Sequence, residues 1–249
     1  MVSQKTGLHF IPILICILMT LAFVISYTLA VSHDHISVAF PYISDTGTWV
    51  PESCVFGQLL NLIATLSGFC AYVWHKQALA RLPFGSRIRL RRCTHLALVS
   101  GLISAFGTSL VANFQETAVW SIHLTGAALL YGCGLVYMAL VTRISYHYGS
   151  SKLCILRILL CLLSTLSAIL IPSTGTVARF MYDGTNIRKW KPTDQGYAYH
   201  AVSSFSEWFL AFCFLSFFCT MVTELKDYTV RAVKVEHRWI KLNEVHVAI

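Results

Sequence analysis

Charge is scarce in this chain. Only 12% of its 249 residues are Asp, Glu, Lys or Arg, and just 11 are acidic, whereas a water-soluble domain carries about 25% charged residues. There is therefore no room for a separate soluble catalytic domain. The usual catalytic patterns are missing too. There is no Gly-x-Ser-x-Gly, no phosphate-binding loop, no His-Glu-x-x-His and no dinucleotide-binding glycine set. No Cys-x-x-Cys occurs, which excludes a zinc ribbon, and no Asn-x-Ser/Thr sequon occurs, so N-glycans are not expected. Internal repeats and low-complexity tracts are also lacking. Of the nine cysteines, only Cys54 is expected near the outer surface, and a disulfide needs two partners in an oxidising compartment. No disulfide, metal or cofactor is expected.

What the chain has instead is hydrocarbon. Hydrophobic residues make up 56% of it, gathered into six long runs at about Leu8–Ala30, Cys54–His75, Thr94–Ala112, Ala118–Thr142, Leu153–Ile171 and Ala201–Thr223. Each is long enough to cross the ~30 Å bilayer core as a helix. The expectation is an all-α polytopic membrane protein: a six-helix transmembrane bundle over residues 1–225, followed by a basic amphipathic tail over 226–249. Thr28-Leu29-Ala30 resembles a signal-peptide cleavage site, but the apolar run is longer than an ~7–15-residue h-region, so retention of the first span is expected.

The net charge of +8 is distributed in a way that speaks for topology, not nucleic acid. The second connection holds Lys76, Arg81, Arg87, Arg89, Arg91 and Arg92 without an acid, the fourth holds Arg143 and Lys152 with Arg157 just beyond, and the tail holds Lys226, Arg231, Lys234, Arg238 and Lys241. The first connection has Asp34, Asp45 and Glu52 and no base, and the third has only Glu116. The positive-inside rule then places both termini in the cytosol. Arg179, Arg188, Lys189 and Lys191 in the fifth connection run against this pattern. In the tail, the bases recur at helical spacing opposite Val235, Trp239 and Leu242, which suits either a solvated tail or a helix on the membrane surface. Arg87, Arg89, Arg91, Arg92, Arg231, Lys234 and Arg238 are candidates for contact with anionic lipid or a protein partner on the cytosolic face.

Small residues mark spans three and four as central: Gly101, Ser104, Ala105, Gly107 and Thr108 on one, Gly126, Ala127, Gly132 and Gly134 on the other. Packing within one chain is the preferred reading and a dimer interface the alternative. The first outer loop, Pro41-Tyr42-Ile43-Ser44-Asp45-Thr46-Gly47 leading to Pro51-Glu52, combines fixed prolines with turn chemistry and reads as an ordered cap. The fifth connection, also rich in turn formers and aromatics, is expected to pack with it over the outer mouth.

Ionisable groups inside spans are costly and therefore informative. Gln58, Asn61, His123, His200 and Glu207 fall in the outer half of the bundle, with Asp45 and Gln115 above them. His200 and Glu207 are seven apart and share a helix face. Three readings remain open: interhelical hydrogen bonding, a ligand, lipid-headgroup or proton site, or a metal-dependent lipid hydrolase using the histidines with Asp45 or Glu207. His33-Asp34-His35 is expected to be a solvated loop triplet.

Several short blocks together carry a resemblance. Phe40-Pro41-Tyr42-Ile43-Ser44-Asp45-Thr46-Gly47 is followed by Pro51-Glu52, Phe56-Gly57, Val111-Ala112-Asn113-Phe114-Gln115, His123 with Gly126-Ala127, then Trp190, Pro192, Gly196-Tyr197, His200 and Glu207-Trp208. In this order they resemble the damage-regulated autophagy modulators, the DRAM branch of the Frag/DRAM/Sfk membrane family. The resemblance implies six spans, a lysosomal or endolysosomal membrane, and a non-enzymatic role in promoting autophagy with a link to apoptosis. The Sfk-like branch would instead imply a plasma-membrane scaffold for phosphoinositide kinase complexes, and a lipid-acting enzyme or carrier is a further alternative. Tyrosine-based and acidic dileucine sorting motifs are both missing from the tail, since Tyr228 is followed at the third position by Arg231.

Overall fold

The computed structural model describes residues 7–82, 88–148 and 150–229. Each apolar run becomes a helix, because only a helix satisfies its own backbone in hydrocarbon. The helices are α1 (Phe10–Ser32), α2 (Glu52–Arg81), α3 (Ile88–Asn113), α4 (Trp120–Ser145), α5 (Ser151–Met181) and α6 (Tyr197–Leu225). All six are long and apolar enough to span a membrane, and there is no strand among the described residues. The bundle forms a ring: each helix packs on its sequence neighbours, and α6 closes back onto α1. The Leu8 amide donates to the Tyr228 carbonyl at 2.8 Å, so the described ends of the chain meet at one pole. The loops after α1, α3 and α5 gather at the other.

Several helices outrun the apolar segments. The largest difference is α5, which passes Pro172 and continues to Met181, so Arg179 lies on a helix and not in the fifth connection. Proline removes one backbone donor, but hydroxyl groups tie the neighbouring carbonyls. Ser173 and Thr174 donate back to Ile169 and Leu170, and Ser203 of α6 donates to the Ile171 carbonyl at 2.8 Å. The α6 helix starts at Gly196, whose φ of +84° and closeness to the Ala178 carbonyl leave no space for a side chain.

Helices α3 and α4 cross closely at Gly107 and Gly126, where a built Cβ on either would lie within about 3 Å of the other helix's backbone. Gly132 does not join them: nothing lies within 4 Å of its Cβ position. The reason is a π turn at Leu129–Cys133, which shifts the register of α4 and turns Gly132 outward. Ser104 donates to the Leu130 carbonyl inside that turn at 2.7 Å.

Candidate functional site

The loop after α1 folds into a buried cap. Its centre is a 3₁₀ turn at Asp45–Gly47. Thr46 donates its hydroxyl to the Ile43 carbonyl at 2.7 Å and meets the Ser26 hydroxyl of α1 at 3.0 Å. Gly47 lies against Phe56, and a Cβ there would sit 2.4 Å from the ring, so only glycine fits. The cap is anchored from α6: Glu207 Oε2 accepts the Ile43 amide at 2.7 Å, and Trp208 Nε1 donates to the Pro41 carbonyl at 2.8 Å. A carboxyl oxygen is thus spent on an amide that opens a tight turn, as an N-cap would be.

The fifth connection closes over this cap, as expected. Ser37 binds the carbonyls of Arg188 and Trp190. Trp190 stacks on His200 at 4.4 Å with rings 8° apart, and Tyr42 meets the same imidazole edge-on at 5.0 Å. Burial pushes the Tyr42 phenol up to about 12. Arg188 Nη2 holds Glu116 at 2.9 Å, and Arg188 Nε lies 3.5 Å from Asp45. One guanidinium thus joins three loops. Asp45 is buried beside the Glu116 carboxyl, and burial first, then that second acid, raise its pKa well above the ordinary value against the pull of Arg188. Lys189 bonds to Asp34 at 2.6 Å and lowers the pKa of that carboxyl. The bases that broke the topological pattern therefore include two, Arg188 and Lys189, that pair with acids of the neighbouring outer loops.

The structure divides the expected polar cluster. His123 is buried, and its Nδ1 lies 2.7 Å from the Phe114 carbonyl. It lines the same space as Glu207. Asn61 belongs to a separate knot with Ser109 and Asn113 between α2 and α3. Gln58 is exposed, because its position on α2 points away from the ring. Gln115 contributes its carbonyl to Ala118 and Val119. Pro51 is exposed, while Glu52 is fully buried and takes His35 at 2.6 Å. The His33–His35 triplet is therefore not simply solvated. No group of three metal-binding side chains forms among the described residues. Arg89, Arg91 and Arg92 are exposed at the start of α3. Arg87, Arg231, Lys234 and Arg238 lie outside the described residues, as does nearly all of the tail.

Below the cap lies a small, partly open chamber of about 110 Å³. Ser44, His123 and Glu207 line its upper end, and Tyr137, Met138 and Phe217 its lower. Its walls come from α1, α2, α3, α4 and α6, and are mostly apolar.

A second polar centre lies at the opposite pole, where sequence reasoning treated Arg157 only as a mark of topology. Arg157 is fully buried and grips Glu224 with Nη1 at 3.1 Å and Nη2 at 2.8 Å. Trp74 Nε1 donates to the same carboxylate at 3.0 Å, and Gln77 donates to the Glu224 backbone carbonyl at 3.0 Å. An arginine inside one apolar span and a glutamate at the end of another were the available signal.

A family model described as Frag1/DRAM/Sfk1/Cwh43P N-terminal domain matches residues 7–228. The human DNA damage-regulated autophagy modulator protein 2 is 36% identical over 235 residues, covering 91% of this chain and 87% of that protein. The human DNA damage-regulated autophagy modulator protein 1 is 36% identical over 231 residues, covering 90% and 94%. The zebrafish modulator of macroautophagy TMEM150B is 27% identical over 242 residues, covering 93% and 91%. No solved structure matches the chain.

Proposed function

The chain belongs to the Frag1/DRAM/Sfk1/Cwh43P family, and from that premise we propose that it is a multi-pass membrane regulator of autophagy that acts without catalysing a reaction. The observation that carries this reading is the 36% identity, along nearly the whole chain, to proteins named as autophagy modulators. Its place is the lysosomal or endolysosomal membrane. The cap pole faces the lumen, and the pole where residues 8 and 228 meet faces the cytosol. The distribution of Lys and Arg supports that orientation. The capped chamber holds a lumenal molecule, and the exposed Arg89, Arg91 and Arg92 meet anionic lipid or a protein partner.

Imaging a C-terminally tagged chain, with protease protection of the tag, tests compartment and orientation together. Autophagic flux is then compared in cells with and without the protein. The expected result is a lysosomal ring, a protease-accessible tag in permeabilised cells, and reduced flux on loss. A plasma-membrane signal would favour the phosphoinositide scaffold, and unchanged flux would overturn the proposal.

A further inference from the structure

Where α1 meets α6, polar contacts are few. Trp208 lies edge-on against Phe23 at 5.7 Å and against Tyr27 at 6.4 Å. No ion pair crosses this seam among the described residues. The side-chain hydrogen bonds that do cross it both belong to one thiol. Cys16 Sγ lies 3.6 Å from the Leu215 carbonyl and 3.4 Å from Cys219 Sγ. A thiol is a weak donor and a weak acceptor. The other neighbours hold α6 more firmly: Arg157 of α5 and Trp74 of α2 bond to the Glu224 carboxylate.

Cys16 and Cys219 are 203 residues apart in sequence, and both are free thiols. Cys16 is partly buried, whereas Cys219 is exposed on the outside of the bundle, the surface that hydrocarbon covers. Each stands six residues inside its helix end, at Phe10 and at Leu225, or ~9 Å along the axis. Cys70 of α2 is buried, and its sulfur meets Met221 at 4.0 Å. An exposed thiol backed by a second one in contact is the arrangement of a redox pair: one sulfur is oxidised and the other resolves it. The sequence offered no two cysteines on the outer side for an oxidising compartment to join. An oxidant that arrives through the lipid needs none there.

We propose that Cys16 and Cys219 form a redox modification site that reacts with lipid hydroperoxides and closes to a disulfide, stapling α1 to α6. The Cys219 sulfur attacks the terminal oxygen of the hydroperoxide, and the O–O bond breaks. The thiol proton leaves with the lipid as an alcohol, and Cys219 becomes a sulfenic acid. The Cys16 sulfur then attacks the Cys219 sulfur, the S–O bond breaks, and the hydroxyl leaves with the Cys16 proton as water. Two thiols and one hydroperoxide thus give one disulfide, one alcohol and one water, with two electrons passing from sulfur to peroxide oxygen. Ionising a thiol is costly in hydrocarbon, so the reaction is slow and answers sustained peroxidation.

The test uses the full chain in phosphatidylcholine nanodiscs. It is treated with cumene hydroperoxide or with hydrogen peroxide at the same concentration, capped with N-ethylmaleimide, and mapped by peptide mass spectrometry without reductant. The expected product is a linked pair of peptides carrying Cys16 and Cys219, lighter than their sum by two hydrogens. It forms at least fivefold faster with the apolar peroxide and is released by dithiothreitol. The SDS midpoint for unfolding rises in the oxidised protein and returns on reduction. Cys16→Ser loses the link and leaves a sulfenic acid at Cys219 that dimedone traps, whereas Cys219→Ser loses the link and leaves Cys16 reduced. Cys16→Ala and Cys219→Ala repeat these readouts should a serine variant fail to elute as a folded monomer. No link in the folded parent, a link from Cys16 to Cys70 instead, or equal rates with the two peroxides overturns the proposal.

Discussion

Replacing Glu224 by Gln leaves the Arg157 guanidinium buried without its countercharge. Arg157 is fully inaccessible, so water does not reach it where it stands. Four donors converge on the Glu224 carboxylate: Nη1 and Nη2 of Arg157, Nε1 of Trp74 and, at 3.5 Å, the Ser145 hydroxyl. The Thr220 and Ser145 hydroxyls give Arg157 neutral partners only. Breaking such a pair from one side costs about 3–5 kcal/mol, which is roughly two to four orders of magnitude in the folded-to-unfolded ratio. Arg157→Met should cost a similar amount by stranding the carboxylate. The double variant Arg157→Met/Glu224→Leu should recover most of the loss, to within about 2 kcal/mol of the parent, because matched apolar groups carry no desolvation penalty and only the Trp74 donor and the Ser145 hydroxyl are left wanting. Reversible SDS titration in mixed micelles, followed by helicity, measures all four members of the cycle. A Glu224→Gln cost below about 1 kcal/mol, or a double variant as damaged as the two singles summed, would refute the reasoning, since either implies hydrated and independent groups.

Three further outcomes are expected. Gly47→Ala should destabilise the cap by about 1–3 kcal/mol through overpacking against Phe56, and Phe56→Leu should restore it; protease sensitivity of the first loop reports both. Because the folded cap raises the pKa of Asp45, it binds a proton that the unfolded chain has already released above its ordinary value near 3.8. Stability must then fall as pH rises through that window, by at most about 1.4 kcal/mol per unit. Slower amide exchange at Thr46 and Gly47 in acid, after correction for intrinsic rates, would show it, and Asp45→Asn should flatten the trend. Arg188→Met should free the fifth connection from both Asp45 and Glu116 and open it to proteolysis near Trp190, and a cleavage pattern identical to the parent would count against its bridging role.

The spans were legible because hydrocarbon leaves the backbone one solution, and a run of apolar residues announces it. Their ends were less so. Helix α5 hides its last ten residues behind Pro172 and polar neighbours, and what carries it onward is a hydroxyl from α6, a contact between helices that no local window contains. The cap was recognisable from Pro41 and the Asp-Thr-Gly turn. The polar cluster was only partly right: helical spacing places His200 and Glu207 on one face, but it cannot say that one stacks on Trp190 while the other holds Ile43. Gln58 failed for the same reason, since depth in the membrane is linear in sequence whereas facing depends on which helix stands next. Arg157 was counted only toward sidedness and Arg188 only as an exception to it, because a base in a loop and a base bonded to a carboxylate across the ring look alike along the chain.

The meeting of Leu8 with Tyr228 stands at one end of the seam where α1 and α6 close the bundle into a ring. Donor and acceptor fluorophores attached through short linkers near those two positions would lie within a few residues' reach of each other whenever the ring is shut. Energy transfer between them would then serve as a running gauge of its integrity, in cells and without purification.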